Sequence, residues 1–248
     1  ERLVELNSDG KNLSLDSEIL FGADGINSKV RDELLGKQNI KDYRQVAISS
    51  SIEMDRSNER VAYQVFNKSG SMALIPAGGN TYVGIQCVDK SYAKKLLELD
   101  DDSYRQSFLE AFGDRFGNFL STGARISYPL LGMRSRLISK PGVIILGNAS
   151  NTLHPVAAQG LNLAFRDVST AMTLIKEHAA DEKGFEFRYS KERKLDHLIT
   201  TIFTDFCSGV FKRGSMPFKI GRTLSLGLIS RNKRLRVQFA RRMAGLSF

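Results

Sequence analysis

Along the chain, apolar and polar positions alternate, run together or recur at helical spacing in distinct stretches. Leu3 to Leu6 and Leu13 to Leu15 flank the polar stretch Asn7 to Asn12, which contains Asp9-Gly10, and read as a hairpin. Ser17 to Gly25 reads as a buried strand running into a glycine turn. Ser28 to Leu35 then reads as a short helix with Ser28 as its N-cap and Val30, Leu34 and Leu35 at helical spacing. Residues 40 to 90 are rich in β-branched and aromatic side chains between polar turns such as Gly78-Gly79-Asn80, which predicts an antiparallel sheet. A helical stretch from Tyr92 to about Phe119, interrupted at Gly113 and Gly117, and a strand from about Gly123 to Leu131 follow.

The strongest strand signal is Gly142-Val143-Ile144-Ile145-Leu146-Gly147, a continuous apolar run between glycines, as expected of a strand buried on both faces. After an irregular segment, Leu161, Ala164, Phe165, Val168, Ala171, Met172 and Ile175 occupy one face of a helix, with Arg166, Asp167, Thr173 and Lys176 off it. Leu195, Leu198, Ile199, Ile202, Phe203, Phe206 and Val210 predict a longer helix, and Leu235, Phe239, Met243 and Leu246 form a stripe near the end. These elements divide into residues 1–39, 40–135, 136–180 and 181–248.

Composition narrows the class. With 248 residues, 42% hydrophobic and 25% charged, the chain is globular rather than disordered, and two cysteines exclude a disulfide scaffold. No apolar run approaches the roughly 20 residues of a membrane-spanning helix. The first residue is Glu1, in mid-pattern, so a piece of a longer chain is expected. The net charge of +9 lies at one end: after Asp205 there are ten basic residues and no acidic one. A basic amphipathic tail suits an anionic membrane surface or a partner. A solvated covering helix is the alternative, and nucleic acid ranks third because no recognised motif accompanies the charge. His178 and His197 stand at no ligand spacing, so no metal site is expected, and no pairing of titratable residues marks a catalytic base.

The candidate chemistry lies in Gly147-Asn148-Ala149-Ser150-Asn151-Thr152-Leu153-His154-Pro155-Val156-Ala157-Ala158-Gln159-Gly160-Leu161-Asn162. A buried strand ends at Gly147 and a long helix opens near Gly160. Free backbone N–H groups at that helix start favour negative charge, and a glycine there lets a flat ligand approach the backbone. A long irregular loop inside a compact domain is usually functional. His154 is assigned to shaping this loop by hydrogen bonding.

The run from Gly147 to Val168 resembles the second flavin-binding motif of class A FAD-dependent aromatic hydroxylases, and Gly22-Ala23-Asp24-Gly25-Ile26-Asn27-Ser28-Lys29-Val30-Arg31 resembles their Asp-Gly motif. Both stand in the family's order, around a β-rich insertion. The wording Asn148-Ala149, Thr152-Leu153-His154-Pro155, with Tyr128-Pro129-Leu130, is similar to the polyprenyl phenol hydroxylases of ubiquinone biosynthesis, in particular the 2-polyprenyl-6-methoxyphenol hydroxylase branch.

The resemblance implies an α/β (α+β) fold. It consists of a partial FAD/NAD(P)-binding domain of the para-hydroxybenzoate hydroxylase type, an inserted antiparallel β-sheet substrate domain, and C-terminal helices. It implies FAD as cofactor, NAD(P)H or another electron donor, and O₂, with reduced flavin forming a C4a-hydroperoxide that hydroxylates a polyprenyl phenol. By resemblance, Asp24 and Gly25 lie near the flavin pyrophosphate, and Arg31 supports the turn and helps to receive a nicotinamide cofactor. Gly147 lies beside the ribityl and ribose, and Asn148 stands where many relatives carry a ribose-binding Asp. Pro155 lies by the isoalloxazine, and Gly160, Leu161 and Asn162 meet its pyrimidine edge. Reduced flavin is anionic there, so the helix start favours the reduced state.

Two departures stand out. Ala158 replaces a glycine common among relatives, which raises the question of φ > 0, and the family's Gly-x-Gly-x-x-Gly turn is absent. The segment alone is therefore expected to hold FAD weakly and to be inactive by itself. The implied partners are a polyprenyl phenol substrate, with a membrane surface or a ubiquinone-biosynthesis complex engaged by the tail, and no nucleic acid. The implied location is cytoplasmic, peripheral to the inner membrane. The alternatives are a non-catalytic membrane- or partner-binding segment and a flavin reductase of the same fold.

Overall fold

The computed structural model describes residues 2–8, 11–56, 61–67, 69–113, 117–177, 184–210 and 216–245. In chain order the early elements are β1 (Arg2–Ser8), β2 (Lys11–Ser17), β3 (Leu20–Gly22), α1 (Lys29–Leu34), β4 (Lys41–Met54), β5 (Tyr63–Asn67), β6 (Gly70–Gly78) and β7 (Thr81–Asp89). Then come α2 (Lys90–Glu98), α3 (Asp101–Phe112), β8 (Phe119–Thr122), β9 (Ile126–Arg134), β10 (Ser139–Lys140), β11 (Val143–Ile145) and β12 (Asn151–Thr152). The chain closes with α4 (Gln159–Glu177), α5 (Phe185–Val210), α6 (Met216–Arg231) and α7 (Lys233–Met243).

Two compact units result. The first comprises Glu1–Lys41, Leu131–Asp205 and Asn232–Phe248; the second comprises Asp42–Leu130 and Phe206–Arg231. The C-terminal region expected as one piece from 181 to 248 is therefore divided between them. Helix α6, which the hydrophobic pattern did not single out, groups with the second unit.

The first unit is organised by β11. It pairs in parallel with β3 and antiparallel with β10. Because side chains alternate across a strand, Val143 and Ile145 pack with Val30, Leu34 and Leu35 around α1. Ile144, on the other face, packs with Ala171 and Leu174 of α4 and Tyr189 of α5. This is why a three-residue strand reads as an unbroken apolar run. Helix α1 begins where expected, because the Ser28 hydroxyl accepts from the Arg31 N–H at 2.9 Å. The hairpin β1–β2 pairs from Arg2↔Ser17 to Ser8↔Lys11; Asp9 and Gly10 lie outside the described residues.

The second unit contains the expected antiparallel sheet, with strand order β9–β4–β7–β6–β5 and β8 also on β4. Ile48, Ile52, Leu74 and Tyr82 from the sheet enclose Tyr104, Phe108 and Phe112 of α3. Gly84 makes this possible, since a Cβ there would lie 2.8 Å from both the Phe108 ring and Ile52. The single helix expected from Tyr92 to Phe119 is instead two. The chain turns extended at Leu99, and Asp100 starts α3 by accepting from the Ser103 N–H at 2.7 Å. The strand expected from about Gly123 to Leu131 is β9, which starts at Ile126 and runs on to Arg134, while β8, before it, was not expected.

The apolar stripes of α4 and α5 behave unlike those of ordinary surface helices. Leu161 and Phe165 are 65% and 63% exposed, and Val168, Met172, Leu195, Ile202 and Phe206 are also exposed. Helix α4 instead buries Leu163, Asp167, Ala171 and Leu174. The face carrying a carboxylate is the inward one, and the reason lies in the loop before it.

Candidate functional site

The loop from Gly147 to Ala158 is built of two 3₁₀ turns joined by β12. Gly147 opens the first at φ +57°, where only a residue without a side chain sits freely. A Cβ there would also press on the Ala164 methyl at 3.3 Å. The Gly147 carbonyl accepts from the Ser150 N–H at 2.9 Å, and the Ser150 hydroxyl also lies within bonding distance of it. Asn148 is exposed, and its carbonyl receives the Thr152 hydroxyl at 2.8 Å. Strand β12 ties the loop to the end of β9 through Asn151↔Arg134 and Thr152↔Met133.

The second 3₁₀ turn begins at Pro155, whose locked φ suits a first helical position. His154, 2% exposed, accepts from the Val156 N–H through Nδ1 at 3.1 Å, a loop-shaping bond. Ala158 ends the turn in the left-handed region at φ +50°, ψ 30°. The substitution flagged in the sequence therefore does carry strain, of order 1–3 kcal/mol for a non-glycine residue.

Helix α4 starts immediately afterwards. Its first-turn N–H groups, around Gly160, Leu161 and Asn162, lack intrahelical acceptors by the geometry of any helix start. A Cβ at Gly160 would meet nothing within 4 Å. Packing within the chain therefore does not require glycine here, although glycine costs a helix about 1 kcal/mol relative to alanine. This open cradle fits the flat, acceptor-rich edge of a flavin. Beside it, the Gln159 and Asn162 side chains both donate to the Met243 carbonyl, at 3.0 and 2.9 Å, so the end of α7 is fastened to the helix start.

What holds the loop is Asp167. Fully buried, it accepts from the Gly147 N–H at 3.0 Å and lies 3.2 Å from the Ser150 hydroxyl through one oxygen. Its other oxygen lies 2.8 Å from Arg193 Nε and 2.7 Å from His197 Nε2. Arg193 and Arg166 are in turn paired with Asp196. Burial pushes the Asp167 carboxyl up, but the hydrogen bond and charge of His197 and the charge of Arg193 outweigh it and hold the group below the ordinary 3.8. Tyr189 completes the enclosure by donating to the Ile145 carbonyl at 3.2 Å, and burial raises its phenol strongly.

The Asp-Gly turn joins this loop from the other side. Asp24 Oδ2 accepts from the N–H groups of Lys29 and Val30 at 2.8 and 3.3 Å, capping α1. Burial raises its carboxyl slightly, while the Ser28 side chain and these amides lower it further, for a net shift below 3.8. Gly25 turns at φ +83°. Arg31 is 1% exposed and donates to the carbonyls of Ile26 at 2.8 Å and Ala149 at 3.2 Å, while its Nε and second amino group engage Asp32. Its guanidinium is therefore a bridge between turn and loop.

The structure thus ties Arg31 to the loop carrying Gly147 and Asn148 through the Ala149 carbonyl, keeps Asp24 and Gly25 in the turn before α1, and sets Pro155, Gly160, Leu161 and Asn162 along the path into α4. Sequence reasoning missed Asp167, Arg193, Asp196, His197 and Gln159. A signal existed for most of them: Arg193, Asp196 and His197 stand at i, i+3 and i+4, one face of a helix. His178 lies outside the described residues.

A family model described as an FAD binding domain matches residues 3–195. The ubiquinone hydroxylase UbiL of Rhodospirillum rubrum is 28% identical over 246 residues, covering 96% of this chain and 56% of the relative. The 3-demethoxyubiquinol 3-hydroxylase of Escherichia coli is 24% identical, covering 93% of this chain and 60% of the relative. The chain therefore spans little more than half the length of these curated relatives. Among solved structures, Pseudomonas aeruginosa PqsL in complex with 2-aminobenzoylacetate superposes with a TM-score of 0.70 at 21% identity, over 85% of this chain and 59% of that one. This likeness is one of fold.

Proposed function

Because the chain belongs to the FAD-binding-domain family, we propose that it is part of a flavin-dependent monooxygenase that hydroxylates a polyprenyl phenol in ubiquinone biosynthesis. The observation that carries this reading is the Gly160 cradle, a helix start with free amides and an open glycine, placed by a loop that a buried carboxylate holds. The names of the relatives, a ubiquinone hydroxylase and a demethoxyubiquinol hydroxylase, supply the substrate class.

In this reading FAD, when bound, supplies the redox chemistry, taking electrons from NAD(P)H or another donor and activating O₂. The protein supplies position and field. The amides of Gly160, Leu161 and Asn162 stabilise negative charge at the pyrimidine edge of the ring. Gly147 and Asn148 serve the ribityl and ribose, Pro155 borders the ring, and the turn at Asp24 and Gly25 serves the pyrophosphate. Arg31 and Asp167 act through the loop rather than on the cofactor.

The tail supports a peripheral location on the cytoplasmic face of the inner membrane. Residues 232–240 are all exposed and combine Leu235, Val237 and Phe239 with Arg234 and Arg236. Among the described residues no helix is long and apolar enough to cross a membrane. Leu246 of the expected stripe lies outside the described residues.

The test is oxygen uptake by the full-length protein with FAD, NADH or NADPH, and a prenylated phenol. Uptake matched by hydroxylated product supports the proposal. Reduction of a prenyl double bond without oxygen uptake identifies a reductase of the same fold instead. Co-sedimentation with anionic vesicles, without flavin or turnover, identifies a binding module.

A further inference from the structure

The first unit contains a second feature that the flavin reading does not use. A cavity of about 220 Å³ is lined by Arg134, Arg136, Lys194, Ser190 and the buried His197, among others, and by no carboxylate. Among the described residues, the charged groups of Arg134, Arg136 and Lys194 have no ion pair or hydrogen bond; Arg136 bonds only through its backbone N–H, to Gln38 at 3.1 Å. The nearby acids do not serve as their counterions: Asp167 is taken by Arg193 and His197, and Asp196 by Arg166 and Arg193. Both carboxylates of that deeper network are occupied by Arg166, Arg193 and His197. Three cations therefore surround one concavity with no neutralising partner among the described residues, an arrangement that repels itself and focuses a positive field into the space.

The donors suit one kind of anion. Two guanidinium forks match the paired oxygens of a phosphate, Lys194 adds a compact charge, and the Ser190 hydroxyl has no partner among the described residues. Size narrows the choice. Sites for drug-sized molecules occupy roughly 300–1,000 Å³, and a water takes about 30 Å³. The cavity thus holds the equivalent of about seven waters, enough for a phosphate group and its hydration and too little for a nucleotide.

We propose that this cavity binds a phosphate group, either as the free ion or as the end of a phosphate monoester whose remainder lies outside. The site stands on Arg134, Arg136, Lys194 and Ser190 alone, and does not depend on the flavin assignment. Its position gives it reach: His197 lines the cavity and contacts Asp167, whose other oxygen holds the Gly147 amide.

The experiment is calorimetric titration of the full chain with inorganic phosphate and, separately, phenyl phosphate, at ionic strength held constant with NaCl. Saturable binding is expected, weakened at least tenfold in the triple variant Arg134→Gln/Arg136→Gln/Lys194→Gln and at least threefold in Lys194→Gln alone. The tail variant Arg236→Gln/Arg241→Gln should keep the original affinity. All of the replaced side chains are exposed, so folding should survive. Phenyl phosphate binding as well as phosphate assigns the site to monoesters; binding of inorganic phosphate alone assigns it to the free ion. No heat beyond that of NaCl, equal affinity in the triple variant, or loss of binding in the tail variant would overturn the proposal.

Discussion

Truncating Asp167 to alanine removes one side chain and strands several donors at once. The Gly147 N–H, Arg193 Nε and His197 Nε2 lose their acceptor, and the Ser150 hydroxyl is left with the Gly147 carbonyl alone. Arg193 is 4% exposed and, among the described residues, keeps only Asp196. Removing one partner from a buried ion pair typically costs about 3–5 kcal/mol, because the remaining charge stays desolvated. For a protein of this size that corresponds to a fall in Tm on the order of 10 °C. Asp167→Asn keeps the shape and one acceptor oxygen, and should lose roughly half as much. Thermal melting gives the magnitude, and amide hydrogen exchange gives the place: residues 147–151 should lose protection more than β11. A drop below about 1 kcal/mol, with unchanged exchange at 147–151, would show that the carboxylate does not hold the loop.

The same carboxylate sets an acid limit. Its folded pKa lies below the ordinary value of 3.8, so its contribution is complete at neutral pH and lost as the pH falls below about 4; Asp167→Asn should flatten that part of the stability profile. Ala158→Gly should stabilise the protein by about 0.5–1 kcal/mol, since relief of the left-handed strain exceeds the added freedom of the unfolded chain; a lower Tm would contradict the strained turn. Gly84→Ala should destabilise by about 1–3 kcal/mol, because the new methyl meets the Phe108 ring and Ile52 in the sheet–helix core. An unchanged denaturation midpoint would mean that this core gives way easily.

Local patterns made much of this legible. The run Val143–Ile145 announced a strand covered on both faces, and Ser28 announced the start of α1, because both depend on neighbouring residues only. The loop between Gly147 and Gly160 was legible through its glycines and its resemblance to a known motif. The strain at Ala158 followed from a single replaced residue.

What was hidden depended on contacts distant in sequence. The Asp167–His197 pair joins residues 30 apart, and the apolar stripe drew attention to the opposite face of α4. An amphipathic pattern shows which face is apolar, but not which face this chain covers; here the buried face is chosen by a carboxylate that must reach a loop amide. The break at Leu99 and Asp100 was obscured because the residues on both sides of it favour helix. That Arg31 joins turn and loop shows only in three dimensions, where its donors meet Ile26, Ala149 and Asp32.

In the proposed function Gly160 is a glycine for the sake of a flavin. FAD titration of the full-length protein and of its Gly160→Ala variant, followed by the visible flavin spectrum beside thermal melting without cofactor, tests it most directly. The two readouts should move in opposite directions. Without FAD the variant should melt at the same temperature or higher, because the methyl enters open space and alanine favours helix by up to about 1 kcal/mol. Its FAD affinity should nevertheless fall at least tenfold. Equal affinity in the two proteins would contradict the assignment of the α4 start to the flavin ring.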